Sequence, residues 1–463
     1  MQSDPPTAWL TAIEPHGGPL YLQIADRLED AIADGRLHAG DRLTPQRAVA
    51  SRLGVDLTTV TRAYAEARKR GLLAADGPRG TFVAARKVEL RALVDLSLNI
   101  PPQPVDPDLH ELLKTGLAQM LLRADIDLLM TYHLGGGSAS DREAGARWLA
   151  PMLGDVAPER VVASPGSQAA LCALILACTK PGDVLLCEPL VYPGFLAAAA
   201  QLGRRVRDVA TDDEGMRPDE LERAARETGA RLVYLNPTIQ NPTTVTMPER
   251  RRRALAKLAA RLDLQIVEDD PYWLLADAAP PPLARLAPER VHYVSTLSKC
   301  LSPGLRTAFV VSPDPGHRAA FLAALRAFSL MRAPLTAVLA TQWLLDGTAQ
   351  HILAGVRAEA RARQAVAAQR MAGSLAHAHM SREGIHLWLA LPSYWAAPAF
   401  ARAAREQGLA ITPSNAFSSG STTSNAIRIS LGEGRDRKRL SHALARLSGL
   451  LTRRPLPEEA VVV

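Results

Sequence analysis

The stretch STLSKCLSPGLRTAFV occupies residues 295–310 and follows directly on the apolar run VHYV. Lys299 therefore stands at the end of a predicted buried strand, flanked by hydroxyl side chains, and Arg306 follows a Pro-Gly-Leu turn. A charged amine at such a place is costly unless it has a partner or a reaction to perform. We therefore expect Lys299 to belong to a functional site.

Other short apolar strands surround this stretch, and helical segments separate most of them. Between residues 110 and 345 the strands are RVVASPG, DVLLCEPL, RVRDVAT, RLVYLNPT, LQIVEDD, VHYVSTLSK and TAFVVSP. This alternation is typical of βα units around a mostly parallel sheet. Residues 346–455 change to a long helix rich in Arg and Ala and then to three β-prone segments, which predicts a smaller α+β part.

Polar and aromatic side chains follow these strands at their carboxyl ends, where open α/β sheets bind ligands. A Gly-Ser-Gln turn at Ser167 and Gln168 opens a helix whose free N–H groups can hold a phosphate. The later strand ends carry Tyr192, Asn241, Asp269, Tyr272 and Lys299. A phosphate cradle, an aromatic ring, an amide, a carboxylate, a phenol and an amine form the set that a phosphorylated pyridine aldehyde needs.

The first 85 residues have a different pattern. Leu20, Ile24, Leu28 and Ile32 recur every four residues and predict a helix. PQRAVASRLG and VDLTTVTRAYAEARKRG predict two more helices, the last of them capped by Asp56 or a neighbouring threonine. LLAADGPRGTFVA then carries two β-prone pieces around a turn. Helix, helix-turn-helix and hairpin are the order of a winged helix-turn-helix.

Only one segment of this region has the excess of positive charge that indicates a nucleic-acid partner. Residues 1–85 contain ten basic and ten acidic side chains, although the whole chain carries a net charge of +7. Residues 42–71, however, contain seven Arg and Lys against Asp56 and Glu66 alone. A basic face of this kind attracts phosphates, whereas a high overall charge by itself does not locate a binding site.

Composition narrows the class of protein. The chain of 463 residues, 47% of them hydrophobic, has no apolar run long enough for a membrane span and no basic, apolar start typical of a signal peptide. Its four cysteines form no C-x-x-C pair, and no histidine spacing indicates a metal site. We expect a cytoplasmic protein with reduced thiols, no membrane partner and no metal.

These patterns carry a family resemblance. Residues 110–455 resemble the fold-type I aminotransferases that bind pyridoxal 5′-phosphate, since LSK, PGLR and QNPT stand in the order of that family. Residues 17–85 resemble a GntR-type winged helix DNA-binding domain, and the fusion of the two is similar to MocR-type regulators. The proline-rich residues 86–109 would be a linker and extended arm, and residues 456–463 a flexible tail. The resemblance implies a large cofactor-binding part over residues 110–345 and a small part over residues 346–455.

The resemblance also assigns roles around the cofactor ring. Lys299 would form the Schiff base, the internal aldimine, with the cofactor aldehyde. Asp269 would pair with the pyridine nitrogen and keep it protonated, which makes the ring an electron sink. Tyr192 would stack on the ring, while Tyr272 and Asn241 would bind its phenolic oxygen.

Further roles concern the phosphate, the substrate and a second subunit. The phosphate would be held by Ser167, Gln168, Thr296, Ser298 and Arg306, the last through its two-pronged guanidinium. Arg428 in AIRISLG matches the arginine that grips a substrate α-carboxylate, or else it pairs with a carboxylate of the small part. Tyr132 matches a tyrosine that reaches the cofactor phosphate of the partner subunit. The resemblance therefore implies a homodimer, with a domain-swapped arrangement as one form.

On the DNA-binding domain the resemblance points to six residues: Arg47, Thr58, Thr59, Arg62, Arg79 and Gly80. The recognition helix departs from the family in one respect, since Leu57 stands where an arginine often follows the capping residue. Base readout by a bidentate arginine is therefore not expected there. Arg68, Lys69 and Arg70 are either phosphate contacts or a solvated helix end.

The function implied is that of a transcriptional regulator. It would bind a double-stranded DNA operator and pyridoxal 5′-phosphate, and it would respond to pyridoxal 5′-phosphate or to a small amino compound. A catalytically active aminotransferase with a DNA-binding extension is the alternative, because Lys299, Asp269 and Arg428 are all present. In a third interpretation the site senses only the vitamer and Arg428 is structural.

Overall fold

The computed structural model describes residues 9, 18–34, 36–38, 40–75, 80–84, 93–123, 125–372, 383–420, 424–434 and 436–454. The chain divides into two compact units, Met1–Ala92 and Leu93–Val463. Arg79, the predicted linker as far as residue 92 and the predicted tail lie outside the described residues.

The first unit is a winged helix-turn-helix, as predicted. Its elements are α1 (Leu20–Ala33), α2 (Gln46–Leu53), α3 (Leu57–Lys69), β1 (Leu73–Ala75) and β2 (Thr81–Val83). Gly54 ends α2 in the left-handed conformation, and Asp56 caps α3 by accepting a hydrogen bond from the Thr58 amide at 2.7 Å. The two strands pair antiparallel and form the wing.

The second unit begins with β3 (Val94–Asp95) and continues with the elements of a large α/β part. They are α4 (Leu109–Arg123), α5 (Ile126–Leu129), α6 (Ala139–Leu153), β4 (Val161–Ser164), α7 (Ser167–Cys178), β5 (Val184–Cys187), α8 (Pro193–Gln201), β6 (Arg205–Asp208), β7 (Thr211–Asp212), β8 (Gly215–Met216), α9 (Pro218–Thr228), β9 (Leu232–Leu235), α10 (Glu249–Leu262), β10 (Gln265–Asp269), α11 (Leu283–Leu286), β11 (Val291–Thr296), β12 (Ala308–Val311), α12 (Pro315–Ser329) and α13 (Pro334–Asp346).

The central sheet has seven strands in the order β4-β12-β11-β10-β9-β5-β6. β12 runs antiparallel to both of its neighbours, whereas the other pairs are parallel. The chain passes from β11 to β12 through residues 297–307, which contain no α-helix and are too few for a crossover connection. The sheet is therefore mostly parallel, and the βα alternation expected from the sequence fails at this one strand.

The small part contains the remaining elements. They are α14 (Thr348–Met371), β13 (His386–Ala390), α15 (Ala397–Glu406), β14 (Leu409–Ala410), β15 (Thr412–Pro413), β16 (Ala426–Ser430) and α16 (Arg437–Leu451). β13, β16 and β15 form an antiparallel sheet, and β3 pairs in parallel with β14. The arm at the start of this unit is thus built into the small part, although the paired residues Val94 and Leu409 are 315 positions apart along the chain.

Helices cover the central sheet, and β4, β9, β11 and β12 are buried along their whole length. Strands covered on both faces are near-continuous apolar runs, which is why the sequence showed them so clearly. The carboxyl ends of β4, β5, β9, β10 and β11 meet at one edge, and the predicted cofactor residues follow them. Among the described residues, no helix has the length and apolar character needed to span a membrane.

Candidate functional site

A cavity of about 350 Å³ opens at this edge of the sheet. Eleven residues predicted from the sequence line it: Ser167, Gln168, Tyr192, Asn241, Asp269, Tyr272, Thr296, Ser298, Lys299, Arg306 and Arg428. Tyr132 is not among the lining residues, and its side chain is 70% exposed. The structure therefore brings together the residues predicted for one subunit and leaves the residue predicted for a partner site at the surface.

Lys299 lies just past the end of β11, and its Nζ donates a hydrogen bond to the backbone carbonyl of Asn99. Burial lowers the pKa of its amine to about 8, and the positive charge of Arg428 acts in the same direction. A substantial fraction of this amine is therefore neutral near physiological pH. A neutral lysine amine is the form that attacks an aldehyde.

Asp269 ends β10, and its side chain is almost completely buried. Tyr234 Oη donates a hydrogen bond to its Oδ2 at 2.8 Å, and Asn236 Nδ2 donates to its backbone carbonyl at the same distance. Its Oδ1 has no hydrogen-bond partner among the described residues. Burial raises the pKa of the Asp269 carboxyl to about 7, while the bond from Tyr234 lowers it. A cationic ring N–H at Oδ1 would satisfy this oxygen and favour the ionised carboxylate.

The anion-binding end of the cavity is formed by the start of α7 and by the turn after β11. Gly166 has φ +89° and precedes the helix, and a Cβ at this position would lie 3.2 Å from the Arg306 guanidinium carbon. Thr296 Oγ1 lies 3.0 Å from Ser298 Oγ, and Arg306 itself is exposed in the left-handed conformation. Helix N–H groups, two hydroxyls and a guanidinium are a donor set that fits a phosphate.

The residues predicted to surround the ring also line the cavity. The Tyr192 ring lies against the backbone of Gly194, where a Cβ would overlap it. Tyr272 Oη accepts a hydrogen bond from Asn99 Nδ2 at 2.7 Å, so its own hydrogen is left to donate. Asn241 Oδ1 accepts from Arg428 Nη1 at 2.9 Å. The carboxyl group, the amine and the phosphate-type donors that line this one cavity fit the predicted pyridoxal 5′-phosphate.

Arg428 lies on β16 of the small part, and 7% of the residue is exposed. Its guanidinium carbon is 4.9 Å from the centre of the Phe417 ring, and its Nη2 donates to the carbonyl of Ser97. Its Nε is buried without a partner among the described residues, and burial lowers the pKa of the guanidinium. No carboxylate pairs with Arg428 in the described part of the chain, where its hydrogen-bond partners are Asn241 and Ser97.

Three contributions to the site did not follow from the sequence. The arm supplies Ser97 and Asn99, β9 supplies Tyr234, and the segment before β16 supplies Phe417. Asn99 and Lys299 are 200 positions apart, and no periodicity connects them. The four prolines after Asn99 indicated an ordered arm, yet not that the arm would line the cavity.

The predicted DNA-contacting residues of the first unit differ in their exposure and in the contacts that their side chains already make. Arg47 on α2 is exposed, whereas the Arg62 guanidinium carbon lies 4.5 Å from the centre of the Tyr21 ring. The Thr58 hydroxyl donates to Asp56 at 2.6 Å and so supports the cap of α3. Thr59 is half-buried. Arg47 is therefore the clearest candidate for a phosphate contact among these four.

The basic face includes one residue at the wing that was not singled out from the sequence. A Cβ at the predicted wing residue Gly80 would lie 3.3 Å from Nε of the exposed Arg42, so the two are neighbours. Arg70, by contrast, pairs with Asp26, Glu29 and Glu66 at 2.6, 2.9 and 3.2 Å. Its charge is compensated within the unit, so we do not expect it to contact a phosphate.

Known proteins match both units. Residues 91–447 match the family of aminotransferases class I and II, and residues 20–83 match the bacterial regulatory proteins of the gntR family. The vitamin B6 salvage pathway transcriptional repressor PtsJ of Salmonella typhimurium is 31% identical over 89% of this chain and 94% of its own length. The HTH-type transcriptional regulator TauR of Rhodobacter capsulatus is 30% identical over 67% of this chain and 70% of its own length.

A solved structure supports the fold of the second unit. LysN, the α-aminoadipate aminotransferase of Thermus thermophilus solved with N-(5′-phosphopyridoxyl)-L-leucine, has a TM-score of 0.70 and 27% identity, covering 84% of this chain and 98% of its own. The matches confirm the predicted fold class and domain types, and they imply pyridoxal 5′-phosphate as the cofactor. The chain therefore belongs to the HTH-type transcriptional regulators that join a gntR-family domain to a domain of the aminotransferase class I and II family.

Proposed function

We propose that this regulator senses pyridoxal 5′-phosphate, or a small carboxylate-bearing amine held together with it, and adjusts its binding to a DNA operator accordingly. The observation that carries this proposal is the cavity that joins Lys299, the free oxygen of Asp269 and Arg428. A reactive amine, a ring-nitrogen partner and a carboxylate-binding cation in one cavity are what recognition of an amino compound through a pyridine aldehyde requires.

The residue roles in this proposal follow the geometry of the cavity. Lys299 would hold the aldehyde group and Asp269 the ring nitrogen, while the start of α7, Thr296, Ser298 and Arg306 would hold the phosphate. When bound, the cofactor supplies an aldehyde that condenses reversibly with amines and a ring that withdraws electrons. Tyr192, Tyr272 and Asn241 would orient the ring between these anchors. Arg428 would bind the carboxylate of the effector.

The proposal includes a homodimer in the cytoplasm. A face of the second unit exposes large apolar side chains on α4, α5 and the segment that follows: Leu113, Leu117, Leu121, Leu122, Ile126, Met130, Tyr132 and Leu134. So many exposed apolar side chains on neighbouring segments of the chain are typical of an interface with a second chain. Tyr132 lies within this face, so a second copy seated there would bring Tyr132 toward the partner's cavity, in a side-by-side or domain-swapped dimer.

Fluorescence anisotropy with labelled DNA from the region upstream of its own gene tests the proposal. We expect specific binding that competes with unlabelled copies of the same DNA, and an affinity that changes when pyridoxal 5′-phosphate, or pyridoxal 5′-phosphate with an amino acid, is added. The matched control is Lys299→Ala, which should bind the same DNA and show no dependence on the cofactor. A cofactor effect of equal size in Lys299→Ala would contradict the proposal.

Enzymatic turnover is the second candidate function, and the complete set of Lys299, Asp269 and Arg428 in one cavity favours testing it. A transaminase converts the cofactor fully to its amine form when an amino acid is added and returns it when a keto acid is added. Absorbance of the cofactor in a single turnover measures both steps. Slow or incomplete conversion together with a change in operator affinity would favour the sensor.

A further inference from the structure

The arm segment Ser97–Ile100 is hydrogen-bonded to two of the cations that line the cavity, Arg428 and Lys299. The carbonyl of Ser97 accepts a hydrogen bond from Arg428 Nη2, and the carbonyl of Asn99 accepts one from Lys299 Nζ. In this arrangement the arm's backbone accepts hydrogen bonds from Nη2 of Arg428 and from the Lys299 amine, the cations that would bind a carboxylate and an aldehyde. A ligand that uses these groups therefore competes with the arm.

The side chain of Asn99 is also directed into the cavity. It is 9% exposed, and its Nδ2 donates to Tyr272 Oη at 2.7 Å. Its Oδ1 is buried without a hydrogen-bond partner among the described residues. Buried amide oxygens are nearly always paired in folded proteins, so an unpaired one at a cavity wall indicates a missing donor. An amine or hydroxyl of a bound ligand can supply that donor.

The rest of the arm is anchored to the small part. Val94 and Asp95 pair with β14, and the Ser430 amide donates to the Leu96 carbonyl at 2.8 Å. On the other side of the segment, the Ile100 carbonyl lies so close to Gly432 that a Cβ there would overlap it. The segment therefore lies between two anchors on the small part, and its bonds to the cavity are those of Ser97 and Asn99.

We propose that Asn99 contacts the ligand of the cavity and that Ser97–Ile100 is the element through which ligand binding is transmitted to the DNA-binding unit, which residues 85–92 join directly to this arm. The inference rests on the proposed function and deepens it. A ligand shifts an equilibrium only if its affinity differs between two states. Here the difference arises because the bonds to Ser97 O and Asn99 O exist only while Arg428 and Lys299 are free to donate them.

The recognition chemistry defines the class of ligand. Arg428 would donate hydrogen bonds to a carboxylate, and Asn99 Oδ1 would accept one from an N–H or O–H group. Among the described residues, the other charged groups lining the cavity are Asp269, Lys299 and Arg306, which the cofactor itself would engage. The effector would therefore be a primary amine with a carboxylate and an uncharged remainder. L-Alanine is a suitable probe, and ethylamine is its counterpart without the carboxylate.

Hydrogen exchange of the full-length chain tests the transmission directly. Exchange of peptides covering residues 93–104 would be measured with no ligand, with pyridoxal 5′-phosphate, and with the cofactor plus either L-alanine or ethylamine. We expect the cofactor plus L-alanine to change exchange in this segment several-fold, and ethylamine to add nothing to the effect of the cofactor. Unchanged exchange in all states, or an equal effect of the two amines, would overturn the inference.

Variants of the arm distinguish a contact between Asn99 and the ligand from a purely structural role of this residue. Asn99→Ala should weaken L-alanine binding about tenfold by cofactor absorbance and reduce the ligand-dependent change in operator affinity. Val105→Ala, a 77% exposed position on the same arm, is the matched control and should behave as the unmodified chain. Asn99→Ser replaces the alanine variant if that chain does not fold, because its hydroxyl is smaller yet polar.

The outcomes of the two proposals can be distinguished. A chain that binds no operator in any state contradicts the proposed function. A chain that binds operator and responds to L-alanine, but whose Asn99→Ala variant responds to the same extent, contradicts this inference alone.

Discussion

Tyr234 Oη donates a hydrogen bond of 2.8 Å to Asp269 Oδ2, so one oxygen of this carboxyl is held by the protein and the other is left for the cavity. The Tyr234 ring stacks on Phe195 with a centroid distance of 4.1 Å, which fixes the direction of its hydroxyl. Burial raises the pKa of Asp269 to about 7, and the Tyr234 bond opposes that rise. Tyr234 therefore keeps more of Asp269 ionised near neutral pH.

Replacing Tyr234 by Phe should weaken binding of pyridoxal 5′-phosphate at pH 7 by about tenfold, since a hydrogen bond to a charged group contributes about 1.5 kcal/mol. Without this bond the pKa of Asp269 rises further, and the neutral carboxyl no longer pairs with a protonated ring nitrogen. The difference should shrink as the pH is raised above the pKa of both proteins, because Asp269 is then ionised in each. Absorbance titrations between pH 6 and 9 measure it.

Tyr293→Phe is the control for this prediction, because Tyr293 is equally buried and its hydroxyl lies 3.3 Å from Oδ2 of the neighbouring Asp270. It should leave cofactor affinity close to that of the unmodified chain. A Tyr234→Phe variant with unchanged affinity at every pH would show that Asp269 does not need this bond.

Covalent attachment of the cofactor should accelerate as the pH rises through about 8, the pKa to which burial lowers Lys299. The reason is that only the neutral amine attacks the aldehyde, and its fraction increases with pH up to and beyond that pKa. Arg428→Gln removes a positive neighbour that helps to lower this pKa, so the midpoint should move to higher pH. Stopped-flow absorbance of the attached cofactor gives the rate at each pH.

Lys114→Gln removes a positive charge from an exposed position on α4 and serves as the control. Its pH profile should coincide with that of the unmodified chain. A profile that is flat between pH 7 and 9 would contradict the lowered pKa of Lys299.

Arg47→Ala should weaken DNA binding for specific and nonspecific sequences alike, and should reduce the slope of log affinity against log salt by about 0.9. The exposed guanidinium is suited to a phosphate, which carries no sequence information. Anisotropy titrations at several salt concentrations measure both effects.

Arg70→Ala is the matched comparison within the same basic segment. Because Arg70 pairs with Asp26, Glu29 and Glu66, its loss should reduce the stability of the winged helix unit by about 1 kcal/mol and leave the salt slope unchanged. Thermal unfolding together with the salt series distinguishes the role of Arg70 in stability from the role of Arg47 in DNA binding. A smaller slope in Arg70→Ala would place that arginine on the DNA after all.

Leu122→Glu should convert a dimer into monomers, because Leu122 is 86% exposed in the apolar face of α4 and a carboxylate there would be buried unpaired in an interface. Sedimentation velocity measures the mass. Lys438→Glu, at an exposed position on α16 of the small part, is the control for added negative charge and should remain dimeric. A Leu122→Glu chain of unchanged mass would exclude this face as the interface.

The strand ends show how far the sequence could predict the site. Lys299, Asp269 and Asn241 each follow a short apolar strand, and parallel strands deliver their carboxyl ends to one edge whatever the details of packing. Ten of the eleven predicted residues that line the cavity lie at or after these strand ends, whereas Arg428 comes from β16 of the small part. The same reasoning could not find Tyr234 as a partner of Asp269, because this contact depends on neighbouring positions in the sheet rather than on a motif.

The DNA-binding unit shows a different limit. The sequence showed a basic excess over residues 42–71 and left the roles of Arg68, Lys69 and Arg70 open. In the structure, carboxylates of α1 pair with Arg70, and the Arg62 guanidinium lies over the ring of Tyr21. Arg47 is exposed. Charge along a sequence can be counted, whereas whether a given charge is paired depends on which helix packs beside it.

The sequence by itself determined the two domain types and the order of the cofactor residues, because hydrophobic periodicity and strand-end motifs are local properties of the chain. Only the tertiary structure decided that β12 runs antiparallel, that Arg428 reaches Asn241 across the two parts, and that Asn99 contacts Lys299. These contacts join segments far apart along the chain, and packing rather than spacing brings them together. The arm that begins the second unit lines the cavity for the same reason: its strand β3 pairs with β14 in a two-stranded sheet, and the residues that follow lie beside Lys299 and Arg428.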